Sequence, residues 1–270
     1  MINRLSRLPQ HVLTVTALTI AIAISGCQKT PDANEAQRDT GTQDSTKNSN
    51  QPSDTQLSQT TSTTNPAEQQ APLTILALGD SLTEGLGVDN NANYPAQLQT
   101  RLQELGYKDI KVINSGLSGE TSTGLVNRLD WVLQTKPDVT ILTIGANDAI
   151  RGIDVATVEA NIRTAVKRLQ DNDSVVILGG MQIYDNLGSD YVKSFAAIYP
   201  RVAKDLNVTL IPFFLDGVGG DPKLNQADAI HPTKEGYTLI VNNNILPILQ
   251  PELKKINPSN VTNTPTETAQ

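Results

Sequence analysis

The chain has 270 residues, a formal net charge of −7, two histidines and one cysteine. Once its low-complexity stretches are set aside, that length holds about one domain, large enough for a complete enzyme. The acidic balance without a Lys/Arg cluster excludes a nucleic-acid surface, and a single cysteine excludes an intramolecular disulfide.

Taken in chain order, Arg4 and Arg7 precede an apolar run over residues 12–24, too short to span a bilayer comfortably, that ends in Ile24-Ser25-Gly26-Cys27. This ending resembles the lipobox of bacterial lipoprotein signal peptides. The resemblance implies that residues 1–26 are removed as a signal peptide and that Cys27 is lipidated and anchors the chain to a membrane. Gln28 stands where an Asp would signal inner-membrane retention, so an outer-membrane lipoprotein facing the periplasm is expected. A soluble periplasmic or secreted protein is the alternative, in which the cysteine follows an ordinary secretory signal by chance. Residues 27–71 are rich in Gln, Thr, Ser, Asn, Asp and Pro and hold no aromatic residue, which predicts a disordered linker. Its reach as a flexible coil is roughly 35–40 Å. Residues 257–270 repeat that composition and predict a disordered tail, leaving residues 72–256 as the folded domain.

Within that domain, short apolar runs predict strands at residues 73–78, 110–113, 139–144, 175–178 and 208–211. Between them, apolar residues recur at spacings of three and four: Tyr94, Leu98, Leu102 and Leu105; Val155, Val158, Ile162, Ala165 and Leu169; Tyr191, Phe195, Ile198, Val202 and Leu206. Each set makes one face of a helix, expected to pack in the core, and a last helix is predicted over residues 233–249. The alternation predicts an α/β domain with a doubly wound, five-stranded parallel sheet.

In such sheets sites form beyond the carboxyl ends of the strands. The residues there are Gly79-Asp80-Ser81-Leu82, then Asn114-Ser115-Gly116-Leu117-Ser118-Gly119-Glu120-Thr121, then Gly145-Ala146-Asn147-Asp148, and, before the last helix, Asp228-Ala229-Ile230-His231-Pro232. His11 lies in the segment to be removed, so any imidazole chemistry falls to His231. Asp228, three residues earlier, is placed to orient one ring nitrogen while the other faces a nucleophile, as in a Ser-His-Asp triad. Ser81 is the best-placed nucleophile. Ser115, Ser118 and Ser122 compete, but their glycine-bearing stretch suits the presentation of backbone N–H groups. An oxyanion needs such donors in place, and Ser81 N–H, Gly116 N–H and the Asn147 amide are the candidates. Asp80 is expected to be structural, since a carboxylate beside the nucleophile opposes developing negative charge. Glu120 and Asp148 are expected to brace loops or cap helices, and Arg151 to pair with one of them in preference to facing an anionic substrate. The sequence has neither a P-loop nor a zinc-binding spacing, so no metal or other cofactor is expected. The G-x-S-x-G elbow of α/β-hydrolases is also missing.

These four blocks, in this order, resemble the SGNH or GDSL family of hydrolases, and within it the TesA-like group of thioesterases, lysophospholipases and arylesterases. The resemblance runs from about residue 73 to 249. It implies a three-layer flavodoxin-like fold with helices on both faces of the sheet, and ester hydrolysis through an acyl intermediate on Ser81. Gly145-Ala146 stands where members often show two glycines. The lipobox and linker depart further, since many relatives are soluble periplasmic proteins. Expected substrates are acyl, lysophospholipid or aryl esters, extending to thioesters. Ile150, Ile153, the 183–189 loop and residues 213–218 serve either as acyl-pocket lining or as core or lid. Two other functions are carried forward, an O-deacetylase of envelope polysaccharide and a non-catalytic binding lipoprotein; the latter predicts a missing site residue, and none is missing. A monomer acting on a small-molecule or lipid ester is expected.

Overall fold

A computed structural model describes residues 72–184 and 188–256. The expected signal peptide, Cys27, the linker and the tail lie outside the described residues, as does the middle of the 183–189 loop.

Five strands form one parallel sheet: β1 (Leu73–Gly79), β2 (Ile110–Gly116), β3 (Val139–Thr143), β4 (Val175–Gly179) and β5 (Thr209–Ile211), in the order β2-β1-β3-β4-β5. β1 and β3 are buried along nearly their whole length because both faces of a central parallel strand are covered by helices. β2 runs three residues beyond its apolar stretch. Asn114, Ser115 and Gly116 pair with Ala77, Leu78 and Gly79, so edge-strand pairing continues where hydrophobicity stops.

Gly79 is level with Gly116 on one side and Thr143 on the other. The loops leaving these three strands therefore emerge side by side, at the point where the strand order reverses direction.

The helices are α1 (Ser81–Glu84), α2 (Tyr94–Glu104), α3 (Ser122–Val132), α4 (Ala146–Ile150), α5 (Val155–Gln170), α6 (Ser189–Ala196), α7 (Ile198–Leu206), α8 (Lys234–Leu239) and α9 (Leu246–Ile256). α2 packs with α8 and the helical stretch after it, whereas α3, α5 and α7 pack together on the other face. Asn93, Thr121, Asp154 and Thr233 cap α2, α3, α5 and α8 by accepting from first-turn N–H groups.

Three differences from the sequence expectations have local causes. The period over residues 191–206 divides into α6 and α7, because Pro200 has no N–H to donate to Ala196, the last residue of α6. The last helix runs on to Ile256 through a wide π-helical turn at Ile240–Ile245, just ahead of Pro247. Leu105, expected on a core face, lies just past the end of α2 and is exposed. α3 was not anticipated, although its buried Leu125, Leu129 and Val132 carry the helical spacing.

Candidate active site

Ser81 is the first residue of α1, immediately after the turn from β1, and is buried. Its Oγ lies 2.8 Å from His231 Nε2, and His231 Nδ1 lies 2.6 Å from Asp228 Oδ2. With the proton on Nδ1 donated to the carboxylate, Nε2 is left as the acceptor for the Ser81 hydroxyl. The three residues singled out by sequence are thus brought into one hydrogen-bonded chain from two segments 150 residues apart.

The other Asp228 oxygen accepts from the N–H groups of Ile230 (2.9 Å) and His231 (3.0 Å), so the carboxylate builds the turn that carries its own histidine. Partial burial pushes the Asp228 carboxyl up. The bonds from the His231 N–H and ring, from the Ile230 N–H, and the His231 charge outweigh it and bring the pKa to about 2. Ala229 sits between them at φ +60, a left-handed conformation that costs an L-residue roughly 1–2 kcal/mol. The turn is tied to the nucleophile side by Gln226, whose Nε2 donates to Leu86 O at 2.7 Å, and to the loop after β4 by Tyr184, whose hydroxyl donates to Ala229 O at 3.0 Å.

Asp80 is buried and caps α1, its Oδ1 accepting from Leu82 N–H at 3.0 Å. Burial raises its pKa to about 6, against the Leu82 bond, the His231 charge and the Asn147 bond, with the Glu120 charge adding to the rise. This agrees with a structural Asp80, and it adds a second contact: Asn147 Nδ2 approaches Asp80 Oδ2 at 3.5 Å.

Gly116 does not fill the place expected of it. Its N–H donates to Asn114 Oδ1 at 2.9 Å and is spent. What requires glycine there is packing, since a Cβ would stand 2.0 Å from the Glu84 backbone nitrogen. Two other backbone donors, Ser81 N–H and Gly119 N–H, have no acceptor among the described residues. Gly119, at φ +76, occupies the turn between β2 and α3. Its carbonyl accepts from Arg151 Nη1 at 3.0 Å, which links that turn to the end of α4. Arg151 therefore binds a carbonyl and makes no ion pair with Glu120 or Asp148.

Those two acids do brace loops. Glu120 accepts with both oxygens from one edge of the Arg128 guanidinium (Nε 2.6 Å, Nη2 2.6 Å), and Arg128 also donates to Ser115 Oγ and Ser115 O at 2.8 Å each. Asp148 accepts from Ser122 N–H (2.8 Å) and Ser122 Oγ–H (2.7 Å), locking α4, which carries Asn147, against the start of α3. The competing serines are accounted for in the same way: Ser115 by Arg128, Ser122 by Asp148, and Ser118 by Glu84, whose Oε2 accepts from its N–H at 2.7 Å and from its hydroxyl. The bracing roles of Arg128, Gln226 and Tyr184 were not foreseen from sequence. Only the eight-residue interval between Glu120 and Arg128 hinted at a pair, and that needed α3 to be foreseen.

Of the segments considered for an acyl pocket, Phe214 and Val218 are fully buried core residues, Phe214 meeting Tyr94 edge-to-face at 5.3 Å. Ile153 and Ile183 are partly buried against the core. Ile150 is different, being 65% exposed at the end of α4. Leu86, Leu117, Tyr184 and Ile230 are also exposed, all on the loops that border Ser81 and His231. Among the described residues no group of His, Cys, Asp or Glu side chains is placed to hold a metal ion.

A parallel α/β domain that delivers serine, imidazole and carboxylate in bonded sequence to its switch point has the build of a serine hydrolase. The chain belongs to the GDSL-like lipase/acylhydrolase family, which it matches over residues 77–239. It is 36% identical over 187 residues to Esterase TesA of Pseudomonas aeruginosa, covering 69% of this chain and 92% of that protein. It is 32% identical over 170 residues to Thioesterase 1/protease 1/lysophospholipase L1 of Escherichia coli K12, covering 63% and 80%. Among solved structures, a psychrotrophic esterase EstA from Pseudoalteromonas sp., inhibited by monoethylphosphonate, superposes with a TM-score of 0.63 at 32% identity, over 67% of this chain and 98% of that one. The protein is an ester hydrolase with the five-stranded fold of that family.

Proposed function

We propose that the protein hydrolyses carboxylic esters with apolar acyl or aryl groups through an acyl intermediate on Ser81. The observation that carries this is the chain Ser81 Oγ, His231, Asp228, with contacts of 2.8 and 2.6 Å. His231 Nε2 takes the Ser81 proton as Oγ attacks the acyl carbon. Collapse of the tetrahedral adduct breaks the ester C–O bond, and the imidazolium returns its proton to the leaving alcohol. A water molecule, deprotonated by the same Nε2, then attacks the acyl-serine and frees the acid. Asp228 holds the ring in the required tautomer and stabilises the imidazolium.

For the oxyanion we assign Ser81 N–H, Gly119 N–H and Asn147 Nδ2, the first two being donors without an acceptor and the third having only its long contact to Asp80. Removing one such donor typically costs about 3–4 kcal/mol of barrier. The exposed Leu86, Leu117, Ile150 and Ile230 around the site favour lipid-like or aryl esters over a sugar-bound acetyl group. Relatives are named as esterase, arylesterase and thioesterase/lysophospholipase, which supports the same range. Envelope anchoring through a lipidated Cys27 is part of the proposal and is supported by the Ile24-Ser25-Gly26-Cys27 sequence.

The test is a fluorophosphonate label with p-nitrophenyl esters of increasing chain length. Wild-type protein is expected to be labelled at Ser81 and to hydrolyse butyrate and longer esters. Ser81→Ala is expected to lose labelling and at least about a thousandfold in kcat. Labelling elsewhere, or activity retained in Ser81→Ala, overturns the mechanism. A sharp preference for acetate overturns the substrate assignment alone.

A further inference from the structure

We infer that Tyr184 is a positioning residue of the catalytic turn, holding the Ala229 carbonyl and through it the alignment of Asp228 and His231 with Ser81. The inference rests on the Ser81–His231–Asp228 reading above. Ala229 lies between the acid and the base and is held at φ +60 without the freedom of glycine. A backbone strained in this way persists only where its surroundings over-determine it. Most of the turn's bonds are internal: Ile230 N–H and His231 N–H to Asp228 Oδ1, Ala229 N–H to Gln226 O at 2.9 Å, and Gln226 N–H to His231 O at 2.8 Å. Asp228, Ala229 and Ile230 are exposed, so packing does little to hold them.

Besides the His231–Ser81 contact itself, two ties reach the turn from outside. One comes from the nucleophile side, Gln226 Nε2 to Leu86 O. The other comes from the loop after β4, where the Tyr184 hydroxyl donates to the carbonyl of the strained residue itself, at 3.0 Å. The Tyr184 ring is 61% exposed, so its phenol, more than its apolar surface, accounts for the residue at this position. If the left-handed turn relaxed, His231 Nε2 would move from its 2.8 Å contact with Ser81 Oγ, and proton transfer would slow.

Tyr184→Phe removes the hydroxyl and keeps the ring. With p-nitrophenyl acetate, the ester of the shortest acyl group in the series, kcat is expected to fall about three- to tenfold with KM and melting temperature unchanged. Ala229→Gly relaxes the left-handed position. In that background, Tyr184→Phe is expected to cost less than about twofold, a non-additivity that contact between Tyr184 and substrate would not produce. The inference is overturned if Tyr184→Phe keeps wild-type kcat, if only KM changes, or if the same factor is lost in both backgrounds. Failure of the underlying catalytic reading shows separately, as a wild-type protein that is not labelled at Ser81.

Discussion

Two carboxylates within one site are pulled in opposite directions. Asp228, held by N–H groups and imidazole, stays ionised down to about pH 2, so its share of stability is present above pH 4 and is lost as pH falls through 2. Asp80 behaves inversely. Its folded pKa of about 6 lies above the unfolded 3.8, so the folded state holds the proton more tightly between those values and stability falls as pH rises through them. Above pH 6 the buried charge costs about 3 kcal/mol. Asp80→Asn keeps an acceptor for Leu82 N–H and removes the charge. It is expected to raise the melting temperature at pH 7.5 and to match wild type at pH 4. It is also expected to lower kcat, because Asn147 loses the carboxylate its amide faces. Melting curves across pH 4–8 check this, and a difference that does not depend on pH would refute it.

Among the elements, α4 matters out of proportion to its five residues, because it carries Asn147 to the site. It is fixed from two sides. Tyr199 donates to Ile144 O at 2.9 Å just before it, where a Cβ on Gly145 would stand 2.5 Å from the same phenol. Buried Asp148 is held by Ser122 from α3. Ser122→Ala leaves that carboxylate one bond short in a buried setting and is expected to cost roughly 1–3 kcal/mol, read by urea denaturation, with a larger loss in kcat than in KM. The strands and the Ser81, Asn147, Asp228 and His231 positions were legible in the sequence because apolar runs and polar loop residues report directly on burial. Gly116 and Gly119 were not separable. They are glycines three residues apart, Gly116 the last of β2 and Gly119 in the loop after it, and which of them spends its N–H depends on how the Asn114 side chain folds back, which hydrophobicity does not record. The tethering roles of Tyr184 and Gln226 escaped notice because each acts through a backbone carbonyl far away in the chain.

At the scale of the molecule, stability comes from the helix-covered sheet and not from covalent staples. Cys27 is the one cysteine and lies outside the described residues, so no disulfide can form within the chain and a reducing agent is expected to leave the thermal melting curve unchanged. A shift of more than a degree or two under reductant would show a covalent contribution from an intermolecular bridge. All five strands run the same way, so the point where the domain begins and the residue that attacks the ester lie at opposite edges of the sheet. β1 enters at Leu73 and delivers Ser81 from its far end, about 20 Å across the sheet. The chain thus enters the sheet at the edge opposite the one that cleaves esters, a full strand's length from Ser81.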